Sequence, residues 1–115
     1  MDATKFDFRF KTTDNCGWKG VLGPGYVGCV NTGRQPLICR DKMSKLYIVG
    51  HVMLWDYYES LRIQIRMDWM YGEKKKTYTR DGMTLWVFKH KSAALYRFAL
   101  MCEEVEAFNQ KQRNK

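Results

Sequence analysis

The stretch LRIQIRMDWM, residues 61–70, constrains the fold most because apolar and polar side chains alternate along it. In a β-strand every second side chain points to the same face of the sheet. The apolar set on one face comprises Leu61, Ile63, Ile65, Met67 and Trp69, and the polar set on the other comprises Arg62, Gln64, Arg66 and Asp68. The alternation predicts an antiparallel strand with one face on the core and the other in water.

Other segments predict the rest of this sheet. Residues 5–11, KFDFRFK, alternate in the same way and predict a half-buried strand. Six of the nine glycines and both prolines lie in residues 12–44, which predicts hairpins and loops with short strands near 18–22, 26–30 and 36–40. Residues 45–58 are apolar and predict a strand in which Gly50 marks a bulge or bend. A polar connection at 71–82 then leads to a strand at 83–91.

The C-terminal segment 92–110 has helical rather than strand periodicity. Its apolar residues recur at steps of three and four, at Ala94, Phe98, Met101, Val105 and Phe108, and Leu95 and Cys102 widen this stripe. Ser92 is a suitable N-cap, and the outer side carries Glu103, Glu104 and Glu106. The stripe predicts packing either on the chain's own sheet or against a dimer partner, and we expect a homodimer.

The chain is therefore predicted to be α+β, with an antiparallel sheet of about five to seven strands followed by one long C-terminal helix. Its 115 residues fit a single domain, 1–115, with glycine-rich hairpins at 12–44, central antiparallel strands at 45–91 and the helix at 92–110. No apolar run approaches the ~20 residues that span a bilayer, and the N-terminus lacks a signal sequence. We expect a complete intracellular protein that is neither secreted nor membrane-bound.

Metal, cofactor and catalytic motifs are weak in this sequence. The four cysteines form no CxxC pair and His51 and His90 lack ligand spacing, so no metal site and no cofactor are predicted. Reduced thiols are favoured over disulfides in an intracellular protein. GPGYVG, residues 23–28, predicts tight turns rather than a phosphate loop, and Asp56 with Glu59 predicts a polar turn rather than an acid–base pair. The protein is expected not to be an enzyme.

Positive charge is the strongest functional signal. The formal net charge is +8, and residues 60–100 carry nine basic against three acidic side chains. Proteins with such a balance favour polyanions, because neutralised phosphates release their condensed counterions. Solubility alone is the alternative explanation of the charge.

Aromatic residues are interleaved with these cations. Single-stranded nucleic acid is bound by cations along its phosphates and flat rings beneath its bases. The predicted nucleic-acid-binding residues are Arg62, Arg66, Lys74, Lys75, Lys76, Tyr78, Arg80, Trp86 and Lys89, lying together on an open, solvated sheet face. Trp69 is assigned to the core, whereas core and binding roles both stay open for Tyr78 and Trp86. The acidic outer side of the helix disfavours reading of a duplex.

Residues from about 46 to 108 resemble the PC4 family of transcriptional coactivators, which bind single-stranded DNA, and more loosely the Whirly proteins. The stretches IQIRMDWMYGE (63–73) and TRDGMTL (79–85), with a helix downstream, carry the resemblance. It implies a curved antiparallel sheet, dimerisation through the helices, and DNA held across the sheet by Arg62, Arg66, Lys74, Lys75, Lys76 and Arg80. Asp81 stands where the family usually has lysine, and the first 44 residues have no counterpart.

We therefore expect non-enzymatic binding of single-stranded nucleic acid, DNA rather than RNA, with a role in transcription or replication. The alternative is a small inhibitor or adaptor of viral or phage type that uses its basic, aromatic surface on an acidic protein partner, since aromatic residues and arginine dominate protein interfaces.

Overall fold

A computed structural model of the chain describes residues 11–12, 18–27 and 34–113. The strands are β1 (Lys11–Thr12), β2 (Trp18–Leu22), β3 (Pro36–Asp41), β4 (Tyr47–His51), β5 (Thr77–Arg80) and β6 (Met83–Phe88), and the helices are α1 (Val52–Tyr57), α2 (Glu59–Tyr71) and α3 (Lys91–Arg113). All neighbouring strands are antiparallel, in the order β1-β2-β3-β4-β6-β5, and the described part of β1 comprises two residues that pair with β2. The predicted α+β architecture, with a long C-terminal helix on an antiparallel sheet, is confirmed.

Helices cover both faces of the sheet. Helices α1 and α2 bury Leu54, Trp55, Leu61 and Ile65 against one face, which receives Leu37, Cys39, Ile48, Leu85 and Val87 from the strands. Helix α3 buries Ala94, Phe98, Met101 and Cys102 against the other face, with Ile38 and Val49. The prediction of one core face and one open face is therefore wrong, because the chain has a second apolar layer in residues 52–71.

Residues 61–70 form most of helix α2, so the predicted strand is wrong. Leu61 and Ile65 are buried four residues apart and Trp69 packs partly against them, which is helical spacing. The strand hypothesis requires Ile63 and Met67 to be buried too, yet they are 50% and 52% exposed. The helix ends at Tyr71, and the N–H of the following Gly72 donates to the carbonyl of Asp68.

Strand β4 is shorter than the strand predicted at 45–58, since helix α1 begins at Val52. The predicted central strands at 45–91 are thus interrupted by two helices. Gly50 lies in regular pairing with Leu37 and Leu85 rather than at a bulge. A Cβ at position 50 would overlap the carbonyl of Thr84, so close approach of β6 explains this glycine.

Several elements lie close to their predicted positions. Strands β2 and β3 match the segments 18–22 and 36–40, β6 occupies the first part of 83–91, and the predicted helix 92–110 lies within α3. Helix α3 begins at Lys91, so Ser92 is inside it and is not the N-cap. The predicted connection 71–82 contains strand β5, in which the side chain of Tyr78 is buried. The strand at 5–11 lies outside the described residues except for Lys11, and so do Cys16, Cys29 and residues 28–30.

Helix α3 also holds the glycine-rich loop at residues 23–27. The buried side chain of Asn109 accepts a hydrogen bond from the Val27 N–H (2.7 Å) and donates to the Gly25 carbonyl (2.9 Å). The Tyr26 ring meets Phe108 edge-on with centroids 5.1 Å apart. Two backbone groups in the described part of GPGYVG, the Gly25 carbonyl and the Val27 N–H, are therefore bonded to helix α3.

Candidate nucleic-acid interface

The strand register brings four strand ends to one end of the sheet. Arg40 of β3 and Phe88 of β6 both pair with Tyr47 of β4, while Thr77 of β5 pairs with Trp86. Three connections therefore meet there: the β3–β4 turn at 42–46, the α2–β5 loop at 72–76 and the β6–α3 junction at 89–90. We call this region the lysine end, because of the side chains described next.

Exposed lysines dominate the lysine end. All three connections contribute, and the first residue of α3 adds one more: the set is Lys42, Lys45, Lys74, Lys75, Lys76, Lys89 and Lys91. Among the described residues of these segments, Glu73 is the exposed acidic side chain, and Asp41 is buried in an ion pair. The region therefore carries a concentrated positive charge that the fold, rather than a single sequence run, assembles.

Two adjoining hollows form a cleft at this end. One, about 390 Å³, is lined by Trp69, Lys76, Val87, Phe88, Lys89, His90 and Ala93. The other, about 310 Å³, is lined by Met43, Ser44, Leu46, Arg66, Trp69, Met70, Lys74 and Lys89. Because Trp69 and Lys89 belong to both hollows, the hollows meet at the Trp69 ring, with Lys76 lining the first and Lys74 lining the second.

Trp69 is placed by the last turn of α2. Its indole Nε1–H donates a 2.8 Å hydrogen bond to the Lys75 carbonyl, which anchors the 72–76 loop to the helix. The half-buried ring packs on the core and also lines the cleft. Sequence reasoning assigned Trp69 to the core alone. Helical spacing from Ile65, together with the lysine run just beyond the helix, is the signal that would have found it.

Four of the nine predicted site residues are brought together at the lysine end: Lys74, Lys75, Lys76 and Lys89. The Lys75 Nζ lies 5.2 Å from the centroid of the Tyr78 ring. Such a contact favours a fixed direction for the lysine stem.

Tyr78 is not available as a stacking ring. It is 3% exposed, and its hydroxyl donates a 3.0 Å hydrogen bond to Asp68. Burial, and then the hydrogen bond to Asp68, raise the pKa of Tyr78 well above its ordinary value. Of the two roles left open for Tyr78, the structure supports the core role.

Trp86 lies on the α3 face of the sheet, half-buried beside Phe98 and Ala94. The guanidinium of Arg97 lies 4.6 Å from the centroid of its ring. The side chain is therefore covered by α3 and a cation of its own chain. It is placed in the second core rather than on an open surface.

Arg66 lies at the rim of the cleft but is bound by Asp41. Its guanidinium donates to both carboxylate oxygens, at 2.9 and 2.7 Å, and Ser44 also donates to this buried carboxylate. Burial would raise the pKa of Asp41, but the hydrogen bonds and charge of Arg66 with those of Ser44 outweigh it, so its pKa lies below the ordinary value. The pair fastens the β3–β4 turn to α2.

Arg62 and Arg80 lie away from the lysine end. The Arg62 guanidinium donates to the Trp55 carbonyl and lies 5.8 Å from that ring. Arg80 lies 5.2 Å from the ring of Tyr58 at the far end of β5. The predicted basic row of Arg62, Arg66 and the lysine tip on one open sheet face is therefore wrong, because α2 is a helix.

Comparison with protein-family models, with curated proteins and with solved structures finds no match to this chain. The stretch 63–73, which carries the resemblance to the PC4 family, lies mostly in helix α2 and not in a strand. Within the described part of the chain, no helix has both the length and the apolar character needed to cross a bilayer. The same residues contain no group of three or more side chains that could hold a metal ion.

Proposed function

We propose that this chain binds single-stranded nucleic acid at the lysine end, without catalysing a reaction. The observation that carries the proposal is a cleft at Trp69 that is lined by Lys74, Lys76 and Lys89, at an end of the sheet where four separate segments together carry seven exposed lysines. Proteins that bind single strands combine a cationic groove with aromatic rings on which bases stack. Both parts are present here, at a different place from the sheet face expected from the sequence.

Binding of a flexible strand is favoured over binding of a duplex. A duplex reader commonly inserts a basic helix into the major groove. The long helix α3 instead exposes Glu103, Glu104 and Glu106. A single strand can bend into a cleft and expose its bases to Trp69, whereas a stiff duplex presents phosphates alone.

A titration with labelled oligonucleotides tests the proposal. Fluorescence anisotropy of oligo-dT of about 15 nucleotides, of the matching duplex and of oligo-U is measured at low and moderate salt. We expect saturable binding of the single strands that falls steeply with salt, and weaker binding of the duplex. Absence of binding at low salt, or a preference for duplex, would overturn the proposal. The oligo-dT and oligo-U arms report the expected preference for DNA.

Replacing Trp69 by leucine is expected to weaken oligo-dT binding by roughly 1–3 kcal/mol, the contribution of one stacked base. Trp69→Phe keeps a ring and should recover part of the affinity at low and high salt alike. Circular dichroism controls for folding, since the ring also contacts the core. If the leucine and phenylalanine variants bind equally well, Trp69 does not stack on a base.

A further inference from the structure

Helix α2 carries a second apolar ridge that nothing in the described structure covers. Ile63, Met67, Met70 and Tyr71 are between 50% and 76% exposed. At about 100° per residue, this ridge lies roughly opposite the buried Leu61 and Ile65. A contiguous apolar surface of this kind on a small protein is typical of an interaction site.

The ridge forms one wall of a groove. Met43 of the β3–β4 turn, 70% exposed, forms the other wall together with Ser44, and Arg66 lies between them. The groove encloses about 290 Å³ and is lined mainly by apolar atoms. Methionine side chains are unbranched and polarisable, so they adapt their shape to an apolar ligand.

Contacts within this chain hold the two walls of the groove in place. The ion pair between Arg66 and the buried Asp41, with Ser44 donating to the same carboxylate, holds the turn against the helix. Binding therefore requires little ordering of this chain, which favours affinity.

Charge complementarity decides the kind of occupant. The groove opens at the lysine end, where the exposed Lys42 and Lys45 flank Met43 in sequence and Lys74 follows Tyr71 and Met70. An occupant with apolar anchors and acidic flanks satisfies both the methionines and the lysines. We infer that this groove binds an acidic amphipathic helix of a partner protein, of about two to three turns, apolar face inward.

A synthetic peptide tests this inference. The probe is a fluorescein-labelled helix of about 18 residues, with leucines at i, i+3, i+4 and i+7 and glutamates elsewhere. Two control peptides have the same composition in shuffled order, or lysine in place of glutamate. We expect saturable binding of the acidic amphipathic peptide that exceeds binding of either control by about tenfold or more.

Matched variants locate the binding. Met67→Glu and Ile63→Ser should weaken peptide binding by about tenfold or more, whereas Tyr96→Glu should change it less than about twofold. Tyr96 is a suitable control because it is 60% exposed on α3, outside the groove. The Met67→Glu variant is also titrated with oligo-dT, which reports on the nucleic-acid site separately from the groove. Failure of the peptide proposal can therefore be distinguished from failure of the nucleic-acid proposal.

Three results of the peptide titrations would overturn the inference. The first is equal binding of the shuffled peptide, and the second is unchanged binding by both Met67→Glu and Ile63→Ser. The third is absence of binding by the folded wild-type chain. Sedimentation showing a dimer that Met67→Glu dissociates would also overturn it, since a second copy would then cover the groove.

Discussion

Replacing Lys74 and Lys76 by alanine is expected to weaken oligo-dT binding by roughly ten- to thirtyfold at about 0.1 M salt. Each phosphate contact on a single strand contributes a slope of about 0.7 in the logarithm of affinity against the logarithm of salt. Loss of two contacts should lower this slope by about 1.4, and the wild-type and variant curves should meet near 1 M salt. Anisotropy titrations across a range of salt concentrations measure both quantities.

The control is Lys111→Ala with Arg113→Ala, which removes the same charge from the exposed last turn of α3. Helix α3 starts at the lysine end and extends about 34 Å over its 23 residues, so these cations lie far from the cleft. The control should reduce affinity only slightly. Equal effects of the two double variants would show that overall charge, rather than the lysine end, attracts the oligonucleotide.

Replacing Arg66 by methionine is expected to destabilise the fold by roughly 3 kcal/mol. The Asp41 side chain is 1% exposed, and removal of one partner of a buried ion pair leaves an uncompensated charge. The double variant Asp41→Asn with Arg66→Met should recover much of this loss, because the charge is then gone. Urea unfolding measures the three free energies. A loss below about 0.5 kcal/mol in Arg66→Met would contradict a structural role for the pair.

The pH dependence of this effect has a definite sign. In the wild type the pKa of folded Asp41 lies below its ordinary value of 3.8, so its contribution is present above that value. It is lost as pH falls toward the folded pKa. Without Arg66, the hydrogen bonds and charge of its guanidinium no longer lower the pKa of Asp41. The difference in free energy of unfolding between the wild type and Arg66→Met should therefore be smaller at acidic pH than at neutral pH. The test compares the free energies of unfolding of the wild type and Arg66→Met at about pH 3 and about pH 7, on either side of the ordinary pKa of aspartate. The same difference at both pH values would contradict this prediction.

The elements predicted best from the sequence are those whose apolar residues fit either the helical period or the strand period, but not both. Helix α3 was predicted from steps of three and four alone, and Ala94, Phe98, Met101 and Val105 are buried as expected. The predicted position of Phe108 on the same stripe is only partly confirmed, because its ring is 38% exposed beside Tyr26.

Helix α2 was mistaken for a strand because its apolar residues satisfy both periods. Apolar side chains at 61, 65 and 69 fit a helix, and those at 63 and 67 complete a strand pattern. In the structure the second pair forms the exposed groove wall. The exposed apolar side chains of this helix therefore gave it the alternating pattern of a strand. The local pattern alone does not distinguish apolar residues buried in the core from apolar residues exposed in a groove.

Lys74, Lys75, Lys76 and Lys89 were identified from charge, yet their neighbours were not. Strand order and register bring the 72–76 loop to the same end of the sheet as the β6–α3 junction and the β3–β4 turn. Those pairings join residues distant in sequence, which alternation does not specify. For the same reason the covering of Trp86 by Arg97 was not predictable.

The most direct test of the central claim is a ¹H–¹⁵N NMR titration of the full chain with oligo-dT. We expect the largest shifts in the backbone amides of 72–76 and 89–91 and in the indole N–H of Trp69, with smaller shifts in 42–45. Shifts concentrated in the last turns of α3 or in β2, or none at a concentration that saturates anisotropy, would contradict binding at the lysine end.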